Sequence, residues 1–149
     1  MNLEYEFSYV ATLKEPLQIG AGPFGMRSFF EVTGGSFEGK RINGKILTGG
    51  GDWLLTGPDG YGRLDVRAQL LTNDGAAIYV YYTGLLEMNE KVANAVAGGG
   101  GTDYGDQYFR TTPRFETGDP RYAWLNQTLF VAEGRIGPGR VEYKVYRVT

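Results

Sequence analysis

With no histidine and no cysteine in the chain, any acid–base chemistry falls to Asp, Glu, Tyr, Lys or Arg. Disulfides, thiol nucleophiles and thiolate metal sites are excluded. The commonest ligand for zinc, copper and iron is missing as well, so neither a metal nor a cofactor is expected. Two carboxylates are the catalytic candidates. Asp52 follows Gly49-Gly50-Gly51 and precedes Trp53; it reads either as a general base near a loop mouth or as an Asx-type cap of its own turn. Glu116 follows the Pro113 break in Tyr108-Phe109-Arg110-Thr111-Thr112-Pro113-Arg114-Phe115-Glu116. Arg110 lies between aromatics in that run. Its planar guanidinium suits a ligand carboxylate or phenolate through two hydrogen bonds, or a structural bridge to Glu116 or Asp52.

The remaining ligand-binding candidates are Trp53, Asp65, Arg67, Tyr79, Tyr81, Tyr108 and Asn126. Asp65 and Arg67 share a strand face, either paired at the surface or aimed into a cavity. Tyr79 and Tyr81 read as ligand contacts or as wall-filling aromatics. Asn126 reads as a ligand contact or as a partner for buried backbone. Trp124 reads most simply as a core anchor.

These side chains need a scaffold, and the bulk composition names its class. In 149 residues there are 24 glycines and 14% aromatics, a mixture suited to strands joined by tight turns. One domain is expected over residues 1–149. With 15 basic and 17 acidic residues the net charge is -2, and no basic cluster marks a nucleic-acid or membrane partner. The N-terminal stretch alternates and lacks the apolar core of a signal peptide, so a cytoplasmic location is expected.

Leu3, Tyr5, Phe7 and Tyr9 alternate with polar residues as a half-buried first strand. Gly20-Ala21-Gly22-Pro23-Phe24-Gly25 matches the dinucleotide-binding spacing. However, a strand-like run follows where that motif needs a helix, so it reads as a turn. Phe29–Val32 is a strand, and Gly34–Gly39 a turn-rich crossing. Arg63–Thr72 is the cleanest strand, with Leu64, Val66, Ala68 and Leu70 on one face. Asn73-Asp74-Gly75 predicts a type I′ hairpin turn into Ile78–Thr83. Met88–Ala97 is the helical candidate, capped by Asn89. Gln107–Thr112 is a strand, and Asp119-Pro120 starts a short helical turn through Trp124. Thr128–Glu133 and Val141–Val148 close the series. About nine strands with at most one or two short helices predict an all-β fold, an antiparallel closed barrel of about 8–10 strands. In that frame Tyr108–Asn126 is expected to close one end and line the site.

Gly34–Gly39, Gly49–Trp53, Leu64–Arg67, Asp74–Val80, Tyr108–Gly118 and Tyr122–Asn126, in this order, resemble the domain of unknown function 3237 family of small microbial proteins. The resemblance covers nearly the whole chain. It implies a lipocalin-like β-barrel that self-associates, with a dimer favoured, and it supplies no established reaction or catalytic residue. Three functions are carried forward. The first is a barrel binding a small apolar or aromatic molecule, with Arg110 and tyrosines fixing its polar end. The second is a cofactor-free lyase, hydratase or isomerase using a carboxylate, Tyr and Arg. The third is a structural oligomer whose barrel is filled by its own side chains.

Overall fold

The fold was taken from a computed structural model that describes residues 1–149, Gly98 only through its place in a helix. The strands are β1 (Leu3–Leu13), β2 (Leu17–Gly22), β3 (Gly25–Gly39), β4 (Asn43–Ile46), β5 (Gly50–Thr56), β6 (Tyr61–Thr72), β7 (Ala77–Glu87), β8 (Phe109–Thr111), β9 (Arg114–Glu116), β10 (Phe130–Gly137) and β11 (Arg140–Val148). Helix α1 (Glu90–Gly98) follows β7, and a 3-10 turn (Pro120–Gln127) follows β9. All pairings are antiparallel. Those of β1–β3, β3–β5, β5–β6, β6–β7, β7–β8, β8–β10, β10–β11 and β11–β1 return to their start, a ring of eight strands. The hairpin β2–β3 projects from this ring, since β2 pairs with β3 alone.

Where polar and apolar residues alternate without interruption, the faces come out as the period of two requires. Leu64, Val66, Ala68 and Leu70 of β6 are buried, as are Ile78, Val80 and Tyr82 of β7. Asn89 caps α1, its Oδ1 accepting from the Val92 N–H at 3.0 Å. Asp119 likewise accepts from the Arg121 N–H at 2.9 Å to start the 3-10 turn, which runs on to Gln127 rather than stopping at Trp124.

Four expectations need correction, each for a local reason. The first strand does not keep one face: a bulge between Tyr5 and Phe7 inserts Glu6. Tyr5 then turns outward onto Tyr146, while Phe7 and Tyr9 point inward. Gly34–Gly39 is no separate crossing, because β3 runs through it. A Cβ on Gly35 would stand 1.9 Å from the Val10 carbonyl, so β3 passes β1 only where the side chain is absent. The Asp74-Gly75 turn forms, but Gly75 alone has positive φ, at 93°. The Thr72 N–H donates to the Ala76 carbonyl at 2.8 Å around a three-residue loop, so the type I′ geometry, which needs two positive φ values, is not adopted. Finally, the strand expected at Gln107–Thr112 shrinks to β8. Pro113 lacks an N–H and ends it, and β9 resumes on the lower half of β7.

The two ends of the ring differ. At one end Phe7, Phe37, Phe115 and Phe130 meet edge to face, with Phe7–Phe115 centroids 5.5 Å apart and Phe115–Phe130 5.1 Å. Leu125 and Tyr122 of the 3-10 turn lie buried at that end. The Arg41 guanidinium stacks 3.6 Å from the Trp124 ring centroid and forks onto buried Glu6 at 2.9 and 2.7 Å. Within Tyr108–Asn126 the 3-10 turn does close one end, the end away from the cavity described next, while Phe109 of the same stretch lines that cavity.

Candidate functional site

Toward the other end the ring holds a cavity of about 170 Å3. Its walls are Ala11 and Leu13 of β1, Phe30 and Val32 of β3, Leu54 of β5, Leu64 and Val66 of β6, and Phe109, Val141 and Tyr143 opposite. Gln18 and Ser28 of the projecting hairpin, Val96 of α1 and Arg140 also line it. Ser28 donates to the Gln18 amide oxygen at 2.7 Å, and Arg140 donates to Glu142 at 3.3 Å.

Asp52 brings the cavity its one carboxyl group. Position sets its direction: Asp52, Leu54 and Thr56 share the inner face of β5, while Trp53 and Leu55 take the outer one. The β5–β6 ladder pairs at Asp52 and again at Leu55, skipping Trp53 and Leu54. In that interval the Asp65 N–H donates to Asp52 Oδ1 at 3.0 Å. Asp52 is therefore a strand partner as well as a cavity group, and the Asx-type cap of its own turn is not formed. Burial pushes its carboxyl up to about 7. The Asp65 N–H and the Arg27 charge oppose that rise, and the Asp65 charge adds to it.

Two phenols, Tyr82 and Tyr143, line the same cavity as this carboxyl, and Tyr9 packs against Tyr143. The rings of Tyr9 and Tyr143 stack at 4.7 Å, and Tyr82 meets Tyr143 edge-on at 5.6 Å. The Tyr82 hydroxyl interacts with those of Tyr9 and Tyr143. Burial is the main reason all three phenols titrate above their ordinary range, and the Asp52 charge raises Tyr82 and Tyr143 further. All three are neutral hydrogen-bond donors at ordinary pH. The Tyr9 hydroxyl is buried and has no well-formed partner among the described residues. The arrangement is one ionisable carboxyl and a phenol cluster in an apolar chamber. Among the described residues there is no group of three or more acidic side chains that would hold a metal.

Of the residues singled out from the sequence, Asp52 alone lines this cavity. Arg67 and Asp65 alternate outward from β6, and Arg67 lies 5.3 Å from the Tyr81 ring on the outer surface. Tyr79, Tyr81, Glu116 and Asn126 line an open outer groove of about 430 Å3. Tyr108 and Arg110 line another of about 700 Å3, with the Arg110 guanidinium 5.3 Å over Tyr108. The expectation that Arg110 fixes the polar end of a ligand inside the barrel is corrected, because Phe109 and Thr111 take the inward positions on β8. Trp53 is 42% exposed and packs on Phe29. Asn126 clasps the Thr117 backbone, accepting at 2.8 Å and donating at 2.9 Å.

Tyr82, Tyr143 and Tyr9 escaped the sequence reading. The available signal was parity: Tyr82 shares a face with Ile78 and Val80, and Asp52 shares one with Leu54. Each strand's inner face was readable, but not which inner faces meet across the ring.

A family model described as a protein of unknown function (DUF3237) matches residues 1–148. The UPF0311 protein of Clostridium acetobutylicum is 35% identical over 150 residues, covering 100% of this chain and 95% of that protein. A crystal structure of a conserved protein of unknown function from Rhodopseudomonas palustris superposes with a TM-score of 0.90 at 32% identity, covering 99% of this chain and 97% of that one. A structure described as a beta-barrel like protein from Acinetobacter baumannii gives a TM-score of 0.84 at 32% identity, covering 99% and 96%.

Proposed function

This chain belongs to the DUF3237 family of proteins of unknown function, and we propose that it binds a small apolar or aromatic molecule inside a closed, lipocalin-like β-barrel. The pairing ring and the neighbour described as beta-barrel like support the barrel. The observation that carries the binding reading is the mostly apolar cavity with Asp52, Tyr82 and Tyr143 on its wall. Its volume also sets the ligand's size. At about 170 Å3 it falls below the few hundred Å3 expected of a pocket for larger ligands. It is close to the ~150 Å3 apolar cavity that takes one benzene ring. The ligand is therefore one ring bearing one small polar group. Titration calorimetry with p-cresol tests this. Saturable binding that is lost when Val66→Phe fills the chamber supports the reading. Heat unaffected by Val66→Phe, or no binding up to the solubility limit, overturns it.

The outer faces of β7, β8 and β10 support self-association into a dimer. Tyr79, Leu85, Tyr108 and Leu129 are exposed there, beside Arg67, Arg110 and Arg114. Tyrosine and arginine are enriched at interfaces. With Asp65 and Glu116 on the same surface, the face carries both charge signs, as a self-complementary contact requires. Sedimentation velocity with and without Leu85→Glu decides it: a dimer that dissociates supports this face, and a monomeric parent protein rejects it. Among the described residues no helix is long and apolar enough to cross a membrane.

A further inference from the structure

We infer that the cavity is a proton-transfer site for small cyclic ketones, in which Asp52 moves a proton at the carbon next to a carbonyl held by the phenols of Tyr82 and Tyr143. The inference rests on the ring-binding reading above and adds a reaction to it.

Three features carry it. First, Asp52, Tyr82 and Tyr143 line the same mostly apolar cavity, and the Asp52 charge acts on both phenols, so a ketone's one polar atom is drawn to them and its ring lies on the aliphatic wall. Second, the phenols have a proton to spare. The Tyr82 hydroxyl neighbours those of Tyr9 and Tyr143, and joining three hydroxyls through it takes at most two of their protons, which leaves one O–H for a ligand acceptor. The Tyr9 hydroxyl, buried without a well-formed partner, shows that the cluster is not closed on itself. Third, the charge around the chamber selects a neutral molecule. Arg67 and Arg110 lie on the outer surface, Arg27 donates to the Trp53 carbonyl at 3.0 Å, and Arg140 at the mouth is engaged by Glu142. A carboxylate ligand would meet Asp52 without a free cation to offset it. A carboxyl that titrates near neutrality is also suited both to take and to return a proton.

The step balances within the protein and one substrate. Asp52 as carboxylate takes the proton between the carbonyl and the double bond of a β,γ-unsaturated ketone. The C–H pair forms a new C=C bond, and the carbonyl pair moves onto oxygen, where the Tyr82 and Tyr143 hydroxyls stabilise the enolate. Asp52 then returns the proton to the far carbon and the carbonyl re-forms. The product is the conjugated α,β-unsaturated ketone, and Asp52 is again a carboxylate. The step uses no oxidant or reductant.

The test uses cyclohex-3-en-1-one with the full chain, following conjugated product by its ultraviolet absorbance. Binding of the same ketone is read separately by saturation-transfer NMR. The expected result is isomerisation above the buffer rate, with kcat rising as pH rises and levelling above about pH 7. Asp52→Asn keeps an oxygen for the Asp65 N–H and should retain bound ketone while losing about 100-fold to 10,000-fold in rate. Tyr82→Phe should lose about 100-fold or more, and it carries the test if Asp52→Asn fails to fold. Bound ketone without isomerisation overturns the reaction and leaves the binding reading standing. Binding of p-cresol but not of ketone also overturns the reaction. Failure to bind either ring overturns both.

Discussion

The two ends of the ring are built from the same alternating strands and do opposite things with their aromatics. At the closed end Phe7, Phe37, Phe115 and Phe130 meet edge to face, and Phe115 borders a void of only about 20 Å3. At the open end Tyr82 and Tyr143 join Phe30 and Phe109 in a wall that is otherwise mostly aliphatic, around a chamber of about 170 Å3. The polar groups follow the same division. Glu6 at the closed end is buried but forked onto Arg41, whereas Asp52 at the open end has a backbone N–H and no bound cation. The closed end thus supplies stability, and the open end accepts an incompletely satisfied carboxyl in exchange for a ligand-sized space.

Five substitutions probe that contrast, Leu86→Ala serving as the comparison for the first and the other four running from the largest effect to the smallest. Phe115→Ala should lower unfolding free energy in urea titrations by about 3–5 kcal/mol. Leu86→Ala, which only enlarges the existing chamber, should cost about 2 kcal/mol. Equal losses would erase the distinction between the ends.

Asp52→Asn should raise stability at pH 8 by roughly 2–3 kcal/mol. The folded carboxyl titrates at about 7 and the unfolded one near ~3.9. Between those values the folded state holds a proton that the unfolded state has released. The Asp52 contribution therefore falls as pH rises from about 4 to about 7 and is level above that. Urea midpoints measured across this range should slope in the parent protein and flatten in Asp52→Asn. An unchanged slope would remove Asp52 as a strained group.

Arg41→Ala should cost about 1–2 kcal/mol, because it leaves Glu6 buried beside only a longer 3.7 Å contact to Arg147. A loss no larger than that of an exposed pair would mean Glu6 is rehydrated and the closed end is looser than described. Arg110→Ala should change stability by less than about 0.5 kcal/mol and leave p-cresol titrations unchanged. Weakened binding there would move the ligand to the outer face.

Local rules carried the sequence reading where one strand or one cap decides the outcome. The faces of β6 and β7, the Asn89 cap and the Asp119 start were legible because each depends on residues close in sequence. The bulge at Glu6 was not, since Leu3-Tyr5-Phe7-Tyr9 alternates perfectly and the break shows only in pairing with β11. The run of β3 through Gly34-Gly35 was hidden for a related reason. Those glycines are required by Val10, which is distant in sequence but close in space. Asp52 was legible as a candidate and its setting was not. Tyr82 and Tyr143 reach it from β7 and β11, and the residues chosen as its companions lie on outward positions of their own strands.

The pairing of β1 with β11 has a consequence for how the chain is made. Nine register pairs join the first strand to the last, so the ring cannot close until Val148 is available. During synthesis β1 can meet β3 early, yet its other edge and the inner faces of Phe7 and Tyr9 must wait for almost the whole chain. Contacts of such long sequence separation slow folding and prolong the exposure of an unpaired strand edge. A nascent chain halted before Arg140 should therefore be captured by chaperones and cut readily by protease, and release of β11 should bring protection in a single late step.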